Sequence, residues 1–523
     1  MATVEAVLAL IAACIGFALI ARRLRLPYAV VLMLGGMGLA FVPGLPHLTL
    51  NPEFALAFFL PPLLQASALR TDWHEFRAAL RPILLLAVGA VAFTTLCVAG
   101  VMHWLLPDFP LAAAIALGAI LAPPDAVSAG AVLGRLRVPR RLLAVLEGES
   151  LVNDATSLVL FRFATAAALA GTVSWARAGP VFVLVSVGGL AVGWAVGRAT
   201  LWALVRLRDT ALETALSFLV CFVAYALAEA LGASGVIAVV TSGGIVSRGR
   251  YSRLGARSRL DALPVWEFTE FLLTSLVFVL VGLQLRDVLA GLAGHDPWQV
   301  AWIAAAVSAT LVVSRFVWVF GTAYAPLLLP ARLREAPPRP AVVAVVGWAG
   351  MRGVVSLAAA LAVPEAVPER ALIVFLAFCA IFVTLVLQGT TLEWWVRRLG
   401  VEVPARTGMS PAEAEARRVV NRAALHEVER RMADPLEGAI AGDLVEGYRD
   451  LARLFDGVAT GAREAELTAR LRIRLAALRA GRDGLLAHHE SNTLPETIVA
   501  RLVNEMDHEE ARLSRLLRDR AWS

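Results

Sequence analysis

The stretch LGAILAPPDAVSAGAV, residues 117–132, interrupts an apolar segment with two adjacent prolines and a carboxylate. Pro123 and Pro124 each lack a backbone N–H and clash with the preceding helical turn, so together they break an α-helix. Asp125 follows them directly. A broken helix at membrane depth is tolerated where it is buried in protein or lines a cavity. The stretch therefore predicts an interrupted helix whose freed carbonyl groups could bind a cation; a simple proline kink is the alternative.

The rest of the chain has the composition of a polytopic membrane protein. Hydrophobic residues make up 59% of its 523 residues and charged residues 17%, whereas soluble domains carry about 25% charged residues. Most apolar segments approach the roughly 20 residues that cross a bilayer core. We predict about thirteen transmembrane helices, at 4–21, 28–46, 53–69, 82–106, 111–133, 142–171, 179–205, 211–231, 234–247, 263–285, 298–329, 340–363 and 371–396.

The arginine residues in the connecting loops predict the orientation of these helices. The odd-numbered loops hold 20 arginines and the even-numbered loops hold 3. Because positive residues concentrate in cytoplasmic loops, the odd-numbered loops are expected in the cytoplasm. The N-terminus is then outside, and the first apolar segment is expected to be a transmembrane helix. After the membrane domain, at 1–400, the polar region 401–523 predicts a cytoplasmic helical tail, which is a candidate regulatory region.

A second interrupted segment, VVGWAGMRGVVSLAAAL at residues 345–361, carries Arg352 between Gly350 and Gly353. Glycines permit close packing or local unwinding of a helix. This segment is the twelfth and the proline-containing segment is the fifth. Because they are seven segments apart, which is an odd number, they cross the membrane in opposite directions. Such a pair is the expected mark of inverted repeats, with the substrate site where the broken helices meet. Segments one to six would repeat as segments eight to thirteen.

The sixth segment contains LEGESLVNDATSLVLF, residues 146–161, and places several polar groups on one side of a helix. Ser150 and Asp154 are four residues apart and share a face, and Glu149 and Asn153 form the neighbouring stripe. Ionisable residues inside a membrane are costly and mark functional sites by default. Arg352 at this depth needs a carboxylate partner, and Glu149 is the predicted one.

Other polar residues have a weaker claim to function. Glu147 lies near a segment end, where it is expected to be solvated, and Gln284 could line the pathway or bond to a neighbouring helix. The interhelical ion pairs or interface groups are expected at Arg162, Glu229, Glu267, Glu270 and Arg315. The histidines lie at loops, segment ends or in the tail, which weakens a hydrolase interpretation. The sequence predicts no cofactor, and the tail has no nucleic-acid-binding motif.

Three motifs in this order resemble the monovalent cation:proton antiporter-1 family, the bacterial NhaP-like sodium/proton antiporters. They are PPDAVSAGAVLGRLRVPRRL at 123–142, GESLVNDATSLVLFRFA at 148–164 and GMRGVVSLAAAL at 350–361. The resemblance covers roughly residues 5–400. It implies a homodimer of thirteen-helix protomers in the bacterial inner membrane, working by alternating access between two inverted repeats.

The resemblance also implies roles for individual residues. Asp154 would take either the cation or the proton, with Asn153 supporting the site. Ser150 and Asp125 match positions that contribute cation ligands, and Glu149 and Arg352 match the buried ion pair that holds helices six and twelve together. Members with an Asn-Asp pair, as at residues 153–154, are generally electroneutral and exchange one cation per proton.

The chain departs from the family at two places. Many members read Thr-Asp-Pro where this chain has Pro124, Asp125 and Ala126. Many also carry a glutamate where this chain has Ala66, beside Gln65. One expected hydroxyl ligand and one carboxylate are therefore missing. The transported cation is expected to be sodium, with potassium or lithium as alternatives.

The proposed chemistry also follows from the residues themselves. Burial disfavours the charged form of a carboxylate, so a proton and a cation can compete for Asp154. The carbonyls of Pro123 and Pro124, with Ser150 and Asp125, would supply hard oxygen ligands. Exchange follows if only the loaded states move across the membrane. A cation channel and a membrane-embedded enzyme remain open, although the paired interruptions favour a transporter.

Overall fold

The computed structural model describes residues 2–24, 26–42, 52–170, 175–207, 209–292, 294–328, 337–403, 411–434, 437–458, 464–491 and 496–521. These residues are all-helical, with no strand among them. The chain divides into two compact units, Met1–Glu402 and Val403–Ser523.

Most helices of the first unit follow the apolar segments of the sequence, whereas the short helix Trp73–Ala78 lies in the predicted third loop. In chain order they are α1 (Ala2–Leu24), α2 (Tyr28–Leu39), α3 (Pro52–Arg70), α4 (Trp73–Ala78), α5 (Leu80–Leu84), α6 (Val91–Leu105), α7 (Leu111–Leu121), α8 (Ala126–Leu133), α9 (Arg140–Ala170), α10 (Trp175–Leu207), α11 (Thr210–Ala230), α12 (Gly235–Arg253), α13 (Ala256–Leu283), α14 (Leu285–Ala290), α15 (Pro297–Tyr324), α16 (Pro340–Trp348), α17 (Val354–Leu361), α18 (Arg370–Val383) and α19 (Gly389–Arg398). π-Helical turns at Leu85–Ala90 and Thr384–Gln388 join α5 to α6 and α18 to α19.

The predicted all-helical architecture and the predicted interruptions in segments five and twelve are confirmed. Segment five is the pair α7 and α8, and segment twelve is the pair α16 and α17. By length and hydropathy alone, six helices in the described residues can cross a membrane: Leu80–Leu105, Gly179–Leu207, Thr210–Ala230, Ser258–Ala290, Pro297–Tyr324 and Arg370–Arg398. The total of thirteen crossings stays a prediction.

Large apolar side chains on the outer surface are consistent with a membrane environment. On α10, Leu184, Trp194 and Trp202 are all exposed. Soluble monomers rarely expose contiguous apolar surface of this kind, whereas a helix in a bilayer presents it to lipid. Arg206, one turn after Trp202, lies over the indole ring at 3.9 Å. An aromatic and an arginine together are typical of a helix end at the membrane interface.

Loops of the same parity lie together in the structure. Arg81, Arg141 and Pro338, from the third, fifth and eleventh predicted loops, border one cavity. On the even-numbered side, His295 and Glu369 lie 3.3 Å apart and join the tenth and twelfth loops. The relative placement of these loops therefore matches the alternation of arginine along the sequence.

Close packing between α2 and α13 depends on glycine. A Cβ atom at Gly36 would overlap the backbone carbonyl of Val279, and one at Gly282 would lie 2.6 Å from the backbone nitrogen of Met37. The two helices therefore approach each other through backbone atoms, as small residues allow in membrane helices.

The second unit contains α20 (Pro411–Arg431), α21 (Gly438–Val458), α22 (Glu464–Ser491) and α23 (Glu496–Ala521). Helices α20 and α21 pack together, as do α22 and α23. Leu467, Leu471 and Leu513 are buried between the second pair. Arg479 and Glu510 form an ion pair across it at 2.8 Å. This amphipathic packing explains why the polar tail is helical.

We predict that Gly36→Ala destabilises the protein, whereas Gly38→Ala does not. The added methyl group at position 36 meets the backbone of α13, and overpacking of this kind costs about 1–3 kcal/mol. At Gly38 an added Cβ meets no heavy atom within 4 Å, so only the better helix propensity of alanine remains. Thermal unfolding of the purified proteins in one detergent measures the difference. Equal melting temperatures for the two variants would refute the proposed backbone contact.

Candidate functional site

The two helix breaks meet in the interior of the first unit. Helix α7 ends at Leu121 and α8 begins at Ala126, while α16 ends at Trp348 and α17 begins at Val354. The backbone N–H of Asp125 donates to the carbonyl of Met351 at 2.7 Å. Helix α17 packs beside α7, as two antiparallel broken helices require. The predicted meeting of segments five and twelve is therefore present.

Asp125 caps the second half of its broken helix. Its carboxylate accepts hydrogen bonds from the N–H of Val127 at 2.9 Å, from the N–H of Ser128 at 3.4 Å and from the Ser128 hydroxyl at 2.6 Å. A Cβ atom at Gly353 would lie 2.5 Å from Asp125 Oδ2. The glycine therefore allows the backbone of the second break to approach this carboxylate closely.

Helix α9 supports the proline break from the side. The amide of Asn153 donates to the carbonyl of Pro124 at 3.0 Å, and the hydroxyl of Ser157 donates to the carbonyl of Ala119 at 2.7 Å. Both donors are buried. The carbonyl of Ala119 would pair with the N–H of residue 123, which is a proline, and the carbonyl of Pro124 lies in the break itself. The two side chains supply the donors that these carbonyls lack, and they therefore fix the position of the break relative to α9.

A cavity of about 60 Å³ lies between the breaks, α3, α9 and α13. Its lining includes all five residues predicted to bind the ion: Pro123, Pro124, Asp125, Ser150 and Asp154. One water needs roughly 10–15 Å³ of such volume, so a cation with part of its hydration shell has room. The structure thus brings together residues that are up to 31 positions apart in the sequence.

Asp154 differs from Asp125 in its surroundings. It is buried, yet no described residue donates a hydrogen bond to its carboxylate, while Asp125 accepts three. A buried charge without a partner is costly. Of the two carboxylates at the cavity, Asp154 therefore has the stronger need for a cation or a proton.

Three hydroxyl groups at the cavity were missed by the sequence reasoning. They belong to Ser67 on α3, Thr274 on α13 and Ser356 on α17. The Thr274 hydroxyl is buried and makes no hydrogen bond within the described part of the chain. Serine and threonine occur throughout apolar helices at little cost, so nothing in the sequence distinguished these three.

The predicted partner of Glu149 is wrong. Glu149 pairs with Arg315 of α15, through two hydrogen bonds of 2.6 and 2.9 Å, and the two side chains are 1% and 3% exposed. Arg315 also donates to the carbonyl of Val346 on α16. The ion pair therefore links α9, α15 and the first half of the glycine-containing broken helix.

Arg352 binds backbone carbonyls where a carboxylate was expected. It donates to Leu121 at 2.7 Å, to Ala122 at 3.4 Å and to Gly350. Leu121 and Ala122 form the C-terminal end of α7, where unpaired carbonyls give a partial negative charge. The helix breaks thus supply acceptors for the guanidinium, which explains why Arg352 does not need Glu149.

The remaining predicted polar residues are distributed as follows. Arg162 pairs with Glu229 at 2.6 Å, and Arg70 pairs with Glu270, as expected for interhelical ion pairs.

Gln65 is fully buried, and neither of its amide atoms has a partner among the described residues. Residues Gln65 and Ala66 do not line the 60 Å³ cavity, and the side chain of Ala126 lies outside the described residues.

Comparisons with known proteins agree on one family. Residues 7–398 match the family model described as "Sodium/hydrogen exchanger, transmembrane". A sodium, potassium, lithium and rubidium/H⁺ antiporter of Bacillus pumilus is 36% identical over 69% of this chain. The match spans 56% of the length of that relative. A protein of Mycobacterium bovis, called an uncharacterised Na⁺/H⁺ exchanger, is 33% identical over 97% of this chain and 95% of its own.

A solved structure has the same fold. The sodium proton antiporter MjNhaP1 from Methanocaldococcus jannaschii superposes with a TM-score of 0.59, covering 76% of this chain and 99% of that protein. The sequence identity is 18%, so this similarity concerns the fold alone.

We predict that Glu149→Gln destabilises the protein strongly because Arg315 loses its partner. Removing one member of a buried pair typically costs about 3–5 kcal/mol. In an Arg315→Met background the same change should cost much less, whereas in an Arg352→Met background it should cost as much as in the parent protein. Denaturant unfolding of the parent protein, the three single variants and the two double variants in detergent gives both coupling energies. A larger coupling to Arg352 than to Arg315 would contradict the pairing seen here.

Proposed function

Because the chain belongs to the sodium/hydrogen exchanger family of multi-pass membrane proteins, we propose that it is a secondary active antiporter. It exchanges a monovalent cation for protons across the bilayer. The observation that carries this proposal is the position of Asp154, a buried carboxylate beside a cavity between two broken helices, without a hydrogen-bond donor among the described residues. Broken helices that meet around a polar site are typical of secondary transporters.

In this mechanism Asp154 binds either the cation or the proton. Ser150, Asp125, Pro123 and Pro124 border the same cavity. The two polar side chains and the proline carbonyls would replace part of the water around the cation. Hard monovalent cations prefer such oxygen ligands. The Asn153 amide and the Arg352 guanidinium act indirectly, because they donate hydrogen bonds to backbone carbonyls at the helix breaks. Glu149 acts further away, through Arg315.

Exchange follows from the energy of the unloaded state. A cavity that holds a bare carboxylate is costly to move across the membrane, while the cation-bound and protonated forms are not. Helices α3 and α13 line the cavity together with α9 and the broken helices. Relative movement of these helices would open the cavity to each face in turn. We expect a homodimer with the N-terminus outside and the tail in the cytoplasm.

The hydrogen bonds favour electroneutral exchange. Asp125 accepts three hydrogen bonds that stabilise its charged form, and position 153 is an amide. Asp154 is then the single carboxylate that changes its proton, so one proton leaves for each cation that binds. The role of the tail would be regulatory.

Sodium is the first candidate cation, and potassium or lithium are the alternatives. The Bacillus relative is named for sodium, potassium, lithium and rubidium. Pro124 lines the cavity without a side-chain hydroxyl, where the family resemblance implies a threonine, and this weakens selectivity for a small cation. A proton-coupled potassium efflux antiporter is therefore the second candidate. A cation channel is less favoured, because it does not require a carboxylate that is alternately protonated.

We predict that Asp154→Asn abolishes cation-dependent proton movement. The amide keeps the shape of the side chain but can neither release a proton nor neutralise a cation. Everted membrane vesicles with a pH-sensitive dye give the measurement, with sodium, potassium and lithium added in turn. Dequenching above the level of vesicles without the protein should be lost for every cation.

The matched control is Thr165→Val on the same helix. Thr165 is also buried and its hydroxyl has no partner among the described residues, but it does not line the cavity. This variant should retain exchange. Proton movement by a folded Asp154→Asn protein would exclude Asp154 as the exchanging group, and activity of the parent protein with none of the three cations would refute the proposed function.

We also predict that the apparent KM for the cation rises as the pH falls. Protons and cations compete for Asp154, so below the pKa of this group each unit of pH should raise the apparent KM by up to about tenfold. The rate at saturating cation should change less. Initial rates in proteoliposomes across a series of pH values test this. An apparent KM that is independent of pH would mean that the two substrates use different groups.

A further inference from the structure

A second and larger cavity lies in the first unit, away from the ion-binding site. Its volume is about 370 Å³, which falls within the range of roughly 300–1,000 Å³ found for ligand pockets. It has no lining residue in common with the 60 Å³ cavity. The proposed exchange of cations and protons makes no use of it.

The lining of this cavity is largely apolar and comes from several helices. Leu85 and Leu86 come from the π-helical turn after α5, Val145 comes from α9, Val319 from α15 and Val343 from α16. A cavity with such walls favours a hydrocarbon group, because burial of apolar surface is favourable by about 25 cal/mol per Å².

The mouth of the cavity is positively charged. Its lining includes two exposed arginines, Arg81 and Arg141, and no acidic residue among those described. The same loops carry further exposed arginines at Arg77, Arg135, Arg137 and Arg140. Arginine binds phosphate groups through a rigid fork of N–H donors. The mouth therefore favours an anionic group, and a phosphate in particular.

The location of the mouth indicates the source of the ligand. Arg81, Arg141 and Pro338 belong to odd-numbered loops, the arginine-rich set that is expected at the cytoplasmic face. Basic pockets between transmembrane helices at this face bind anionic lipid head groups. A zwitterionic lipid also has a phosphate, but it carries a cationic group that the two arginines repel. A soluble anion would make no use of the apolar interior.

We propose that this cavity binds an anionic phospholipid of the cytoplasmic leaflet, with the phosphate at Arg81 and Arg141 and an acyl chain along Leu85, Val145 and Val343. The interior of the site approaches the buried ion pair described above. Val145 lies four residues before Glu149 on α9, and the carbonyl of Val346, another lining residue, accepts from Arg315. A bound lipid would therefore brace α9, α15 and α16 at the point where Arg315 joins them.

The test uses the full-length protein purified in detergent, with native mass spectrometry and thermal unfolding as readouts. Dioleoyl phosphatidylglycerol should be retained in preference to dioleoyl phosphatidylcholine and should raise the melting temperature more. Dihexanoyl phosphatidylglycerol, which has the same head group, and glycerol phosphate, which has no acyl chain, should give little stabilisation. These comparisons need no variant of the protein.

Variants then locate the site. Arg81→Gln combined with Arg141→Gln should weaken phosphatidylglycerol binding roughly 30-fold, the scale expected for two basic residues at a membrane surface. The matched control combines Arg137→Gln with Arg140→Gln, since these exposed arginines do not line the cavity. The control should keep the preference for phosphatidylglycerol.

Three results would overturn the proposal. The first is equal retention of phosphatidylglycerol and phosphatidylcholine by the parent protein. The second is equal stabilisation by glycerol phosphate, which would indicate a site for a free anion. The third is an equal loss of binding in the two double variants, which would indicate general attraction to the basic loops. None of these results depends on whether the protein exchanges cations.

Discussion

In a membrane-spanning fold, a backbone group released from a helix has no water to bind, and the two helix breaks of this chain release such groups side by side. They are paired largely within the protein. The N–H of Asp125 binds Met351, the side chain of Arg352 binds the end of α7, and Asn153 binds Pro124. The breaks can persist only because α9 and the two interrupted helices meet in one place.

This pairing also determines which groups at the cavity are left to bind an ion. The donors around the breaks are directed at backbone carbonyls and at Asp125. Asp154 borders the same cavity, but receives none of them within the described residues. The carboxylate that needs a positive partner is thus separated from the groups that could supply one permanently. A reversible ligand, either a cation or a proton, fits such a position better than a fixed ion pair does.

Much of this arrangement could be predicted from the sequence, because it rests on local patterns. The break was predicted at Pro123 and Pro124, and residues four apart share a helical face, which placed Ser150 and Asp154 together. Adjacent prolines are not sufficient for a break, since Pro61 and Pro62 lie inside the continuous helix α3. The partner of Glu149 could not be predicted in this way. Arg315 lies 166 positions away on a helix without any interruption, and only the three-dimensional packing shows that Arg352 is already occupied by carbonyls. The hydroxyl of Thr274 was missed for the same reason.

The two breaks meet the same physical requirement by different means. Prolines at 123 and 124 remove two N–H groups, so the first break has fewer donors to pair, and the carbonyl of Pro124 is held by Asn153. The second break contains Gly350 and Gly353 and keeps its donors. There the N–H of Arg352 binds the Thr384 hydroxyl at 3.1 Å, at the π-helical turn of the following segment. Pro124 lines the cavity and has no side-chain hydroxyl, so its carbonyl is the one oxygen that it can offer to an ion. Under the proposed mechanism this difference bears on which cation is preferred, whereas Asp154, the proposed exchanging group, is unaffected.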